Sequence, residues 1–130
     1  MDVTMVQAAG PQVASGGDVA VAVPSGQVVT LQDVIWNVPG PAGLAIRFRF
    51  LAPAIAKAGG TVDFATAAAD MAHLCQTYAL TRVAEFGPQP SQIIISLADQ
   101  ALAFGEPAPD ATQFFEAYRI ENDACIWEAF

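Results

Sequence analysis

Positive charge is scarce in this chain. Five cations face thirteen acids, for a net charge of −8. The cations are Arg47, Arg49, Lys57, Arg82 and Arg119, and only Arg47 and Arg49 stand close together. Without a basic stripe, neither nucleic acid nor an anionic membrane surface is an expected partner. No apolar run approaches the length of about 20 residues that spans a bilayer, so no membrane insertion is expected. Histidine occurs once, as His73, and cysteine twice, as Cys75 and Cys125. That set cannot complete a zinc site of ordinary spacing, so no metal is expected. Phosphate loops, dinucleotide-binding glycine fingerprints, nucleophile elbows and the paired-histidine zinc motif are missing. No catalytic residue and no cofactor are therefore assigned. The N-terminal run Met1-Asp2-Val3-Thr4 lacks the cationic and apolar regions of a secretory signal. Taken literally, that points to the cytoplasm.

What is present is apolar. Of 130 residues, 54% are hydrophobic and 14% charged, the reverse of a disordered chain. The length suits one domain with a substantial core. Residues 1–18 are expected to be a flexible tail, and residues 19–130 a single domain. Val19–Val23 fits an edge strand, and Val28–Trp36 fits the strand after it. Asn37-Val38-Pro39-Gly40-Pro41-Ala42-Gly43 is a strong turn signal. Leu44–Leu51 then alternates, with Leu44, Ile46, Phe48 and Phe50 on one face and Ala45, Arg47, Arg49 and Leu51 on the other. These strands are expected to form a hairpin.

Asp63 or Thr61 starts a helix. Phe64, Ala68, Met71, Cys75 and Tyr78 share its apolar direction, and Thr66, Asp70, His73 and Thr77 the polar one. The register slips at Leu80 and Arg82, which predicts that the helix bends or ends near Ala79, with a short second turn running to Phe86. Ile93-Ile94-Ile95 reads as a strand covered on both faces and parallel to its predecessor across the helix. Ala101–Phe104 fits a short strand. Phe114–Ile120 and Cys125–Phe130 flank the turn cluster Glu121-Asn122-Asp123 as a terminal hairpin. The fold class is α+β: a five- or six-stranded mixed sheet, mainly antiparallel, with one amphipathic helix packed on one face.

Several constellations could carry function. Cys75 on the apolar helix face and Cys125 on the last strand would approach if those faces meet. They then form a disulfide in an oxidising compartment, or remain two buried thiols. Asp70 and His73 stand at i,i+3, a spacing that suits a carboxylate-oriented imidazole base. With no nucleophile near them, the plainer expectation is a solvated face with a weak ion pair. Arg47 and Arg49 point the same way and could hold a carboxylate ligand. Pairing with Glu116 or Glu128 on adjacent strands is the plainer expectation. Phe114, Phe115, Tyr118, Trp127 and Phe130 are expected mainly in the core. A hairpin cannot bury aromatics on both faces unless something covers the outer one, so some could serve a partner. The binding candidates are therefore Arg47, Arg49, Tyr118 and Trp127.

Four stretches carry a resemblance. They are Val23-Pro24-Ser25-Gly26-Gln27, Arg47-Phe48-Arg49-Phe50-Leu51-Ala52-Pro53, Asp70-Met71-Ala72-His73-Leu74-Cys75 and Thr112-Gln113-Phe114-Phe115-Glu116-Ala117-Tyr118-Arg119. Over residues 20–130 the chain resembles a family of small uncharacterised proteins, a domain of unknown function, from Rhodobacter-like alphaproteobacteria. Members of that family usually begin with an export signal, which implies a periplasmic home. The resemblance brings no activity and no catalytic residues. The leading expectation is a small exported, non-enzymatic binding or accessory protein whose sheet face or terminal hairpin meets a protein partner. One alternative is a small-molecule-binding protein or enzyme using Arg47 and Arg49. Another is a cytoplasmic acidic inhibitor or immunity-type protein.

Overall fold

The computed structural model describes residues 10–40 and 43–129. Residues 1–9 of the expected tail, Pro41-Ala42 of the expected turn, and Phe130 lie outside the described residues. Six strands form one sheet in chain order, with one helix packed against it, so the α+β class holds. Every neighbouring pair is antiparallel except the third and fourth strands.

β1 (Gln12–Ala20) begins inside the stretch expected to be tail. Gly16 and Gly17 act there as a bulge rather than as a break. The register with the next strand shifts between Ser15 and Val19. Gly17 has φ +64°, and a Cβ on Gly16 would lie 2.4 Å from the Leu31 carbonyl oxygen. Only glycine fits both demands, so the strand bends without ending.

β2 (Thr30–Gly40) and β3 (Gly43–Leu51) form the expected hairpin. Alternation sorts β3 as expected: Ile46, Phe48 and Phe50 are buried in the core, while Arg47 and Arg49 face the other side, half-buried. Leu44, expected with the core residues, is 39% exposed at the strand's start.

α1 (Phe64–Leu74) begins where the Asp63 carboxylate accepts the Thr66 N–H at 2.9 Å. Its buried residues are Ala67, Asp70, Met71 and Leu74. The buried stripe is thus rotated from the expected one. Phe64 is 49% exposed and meets the Phe114 ring edge-on at 5.1 Å. The helix continues as a π-helical segment, Cys75–Ala79, in which Leu80 N–H reaches back to the Cys75 carbonyl at 2.9 Å. This wider turn is why the 3.6-residue period slips. It brings Ala79 and Val83 into the core, and it leaves Arg82 over the Tyr78 ring at 3.7 Å.

β4 (Gln92–Ala98) lies parallel to β3 in the register Ile46↔Ile93, Phe48↔Ile95, Phe50↔Leu97. Its residues from Ile93 to Ala98 are buried, as a central strand requires. Ala101–Phe104 is loop, not strand. Both edges of β4 are already taken, by β3 and by β5 (Gln113–Glu121), so that segment has no free edge of β4 to join. β6 (Ala124–Glu128) closes a tight hairpin whose corner residues, Asn122 and Asp123, have φ 52° and 60°. Side chains of Asn and Asp tolerate this left-handed region better than most.

A disulfide joins Cys75 to Cys125, with Cα atoms 6.2 Å apart. Beside it, the Gln76 side chain accepts from Cys125 N–H at 2.9 Å and donates to the Asp123 carbonyl at 3.1 Å. The bond closes a span of 50 residues. Removing it with Cys75→Ser/Cys125→Ser should cost about 4 kcal/mol by loop-closure entropy. Urea unfolding of the double variant and of the reduced parent should agree; an unchanged midpoint in both would refute the estimate.

The Thr66 N–H holds the Asp63 carboxyl below the usual carboxylate range. The sign follows: its contribution is full above the ordinary value of 3.8 and is lost as pH falls through the lower folded value. Asp63→Asn keeps a cap but removes the titration. Its Tm should therefore fall less than the parent's in acid, as read by circular dichroism melts. Parallel curves would count against this cap.

Candidate binding site on the open sheet face

The helix covers only one side of the sheet. On the other side, two cross-strand rows form a floor. One runs Asp33, Arg49, Ser96, Phe115; the next runs Ile35, Arg47, Ile94, Ala117. The loop between β4 and β5 folds over this floor. Its base is pinned by Asp99, whose N–H meets the Thr112 carbonyl and whose carboxylate accepts the Thr112 N–H, both at 3.0 Å. Its middle is held by the Gln32 side-chain amide, which donates to the Leu102 carbonyl at 2.8 Å. Between floor and loop lies a cavity of about 300 Å³. Arg47, Arg49 and Ser96 contribute from the strands, and Leu102, Phe104 and Glu106 from the loop.

The two arginines differ in one respect that matters. Arg49 forms a two-pronged ion pair with Asp33, Nε to Oδ1 and Nη2 to Oδ2, both 2.7 Å. Its partner is therefore Asp33, on β2, rather than Glu116 or Glu128. Glu128 instead accepts from the Gln92 amide at 2.9 Å. Arg47 has no acid. Its guanidinium lies 5.8 Å from the centre of the Phe104 ring and 5.2 Å from that of Phe115. Its Nε is sequestered from solvent, with no hydrogen-bond partner among the described residues. Burial, and then repulsion from Arg49, pulls Arg47 below the ordinary guanidinium value. Ring faces attract a cation but do not replace an acceptor for its N–H groups.

The remaining sequence candidates lie elsewhere. Tyr118 is buried in the core on the helix side, and burial, then Glu116, pushes its hydroxyl above the ordinary range. Trp127, its cross-strand neighbour, is 57% exposed on the edge strand β6. Neither meets the arginines' cavity. Asp70 is not solvated, contrary to expectation. The segment between β1 and β2 folds over that face of the helix. The Asp70 carboxylate accepts the Ser25 N–H at 3.0 Å, the Ser25 hydroxyl at 2.5 Å and the Gln27 amide at 2.8 Å. The expected pairing with His73 is replaced by these bonds, so Asp70 anchors a loop.

This chain belongs to a family of unknown function, DUF6497. The family's model matches residues 4–130, so it takes in both the helix side and the cavity. No curated protein and no solved structure matches the chain. For this DUF6497 member the site must therefore be judged on its own geometry. Sequence reasoning picked out Arg47 and Arg49 but missed Ser96, Phe104, Glu106 and Asp33. Ser96 was visible in principle, as a hydroxyl breaking an otherwise apolar buried strand. Phe104 and Glu106 had no local signal, because only the folded loop brings them over the floor.

The difference between the arginines predicts opposite effects on stability. Arg49→Ala strands Asp33 and should cost about 3 kcal/mol. Arg47→Met removes a cation that lacks an acceptor, so stability should hold or rise by up to about 1 kcal/mol. Equal losses in urea unfolding would show that Arg47 is paired after all.

Proposed function

We propose that the chain is a small exported binding protein that holds a carboxylate-bearing small molecule in the cavity over β3 and β4. One observation carries this reading: Arg47 lines an open cavity with no acid answering its charge among the described residues, and its Nε has no partner there. A guanidinium fork matches a carboxylate in shape and charge and can give it two parallel N–H···O bonds. The Phe104 and Phe115 rings flanking Arg47 offer apolar walls to the rest of the ligand. The volume, about 300 Å³, sits at the small end of ligand pockets. Partial roofing by the loop favours a small ligand over the protein partner expected from sequence.

Binding rather than turnover fits the residues around the cavity. His73, the chain's single imidazole, lies on the helix, across the sheet from Ser96. Export to an oxidising compartment fits the Cys75–Cys125 bond. No helix among the described residues is long and apolar enough to cross a membrane.

The test is a thermal-shift screen of simple carboxylates followed by calorimetric titration. A ligand at 100 times its Kd should add about 2.7 kcal/mol of stability. Arg47→Met should abolish that shift while the apo protein stays folded. A hit that survives Arg47→Met, or the absence of any carboxylate hit, would overturn the proposal.

A further inference from the structure

The charges around the cavity allow the ligand class to be narrowed, on the assumption that the carboxylate reading above holds. Among the described residues, three charged side chains line it: Arg47, Arg49 and Glu106. Asp33 neutralises Arg49 through the fork at 2.7 Å. One cation and one anion remain, Arg47 on the floor and Glu106 on the loop. They do not pair with each other or with any other described residue. Glu106 is placed by a turn in which its N–H meets the Ala103 carbonyl at 3.3 Å, with Gly105 at φ +82°. Ser96, a residue 5% exposed on the floor, also has no hydroxyl partner among the described residues. The groups without a protein partner are thus a cation, an anion and a hydroxyl around one space of mixed lining, bordered by Phe104 and Phe115.

We infer that the cavity selects a zwitterion of the α-amino-acid type, with its carboxylate on Arg47 and its ammonium on Glu106. Ser96 supplies a further hydrogen bond, and the ligand's side chain lies against Phe104 and Phe115. A ligand bearing both charges satisfies both walls. A plain carboxylate would meet Glu106 as a repelling neighbour.

Three probes of one size separate the contributions: L-phenylalanine, 3-phenylpropionate and 2-phenylethylamine, titrated by calorimetry into the oxidised full chain. L-Phenylalanine should bind tightest and the amine weakest. Glu106→Gln, at an exposed position, should weaken L-phenylalanine by about fivefold, the upper end for an exposed ion pair. The same change should leave 3-phenylpropionate equal or tighter. Opposite responses of the two ligands are the signature. If 3-phenylpropionate binds as well as L-phenylalanine, or Glu106→Gln shifts both alike, the zwitterion assignment fails and the carboxylate site stands. If none of the three binds, both fail.

Discussion

The parallel pairing of β3 with β4 governs the rest of this molecule. Parallel neighbours cannot be joined by a tight turn, so the chain must leave the sheet and return across one face. Residues 52–91 make that return, and α1 with the π-helical segment after it packs on the sheet. Every other connection joins antiparallel neighbours and needs no crossover helix. One face therefore receives a helix and the other receives only a loop. The asymmetry sorts β3 residue by residue: Phe48 and Phe50 enter the dry core, while Arg47 and Arg49 go to the partly covered side. The cavity exists because the fold has one crossover and not two.

Much of this architecture was legible in the sequence, for physical reasons. The period-2 pattern from Ile46 to Leu51 and the β-branched run Ile93–Ile95 report burial directly. Asp63 announced the helix through a local hydrogen bond. Other features failed where structure depends on distant partners. Gly16-Gly17 looks like a break until Leu31 stands opposite it. Ala101–Phe104 has strand-like composition, yet its neighbours on the sheet are already paired. The helix stripe is rotated because the segment between β1 and β2 covers the Asp70 side, a long-range contact that periodicity does not report. The site was half legible: two arginines two apart on a strand must share a face, but which one finds an acid is a cross-strand fact.

The buried charges illustrate how unevenly a small protein satisfies its polar groups. Asp70 is fully buried and carries three hydrogen bonds from the segment it pins. Arg49 is paired two-pronged with Asp33. Each arrangement ties a long-range segment to the sheet or helix. Arg47 is flanked by aromatic rings alone. Gln27 Oε1 and Thr112 Oγ1 are also buried without a partner, but of these three groups only Arg47 carries a charge and lines the cavity.

Gln76 adds a kinetic aspect to the disulfide beside it. Its amide holds Cys125 by the backbone N–H and Asp123 by the carbonyl, one residue along the helix from Cys75. These bonds involve no sulfur, so they are equally available to the chain before oxidation. The two thiols then meet as near neighbours in a docked hairpin, at high effective concentration, not as ends of a 50-residue search. Wrong pairing with a second molecule is disfavoured by the same placement, which gives a chain with only two cysteines a templated route to its one covalent closure.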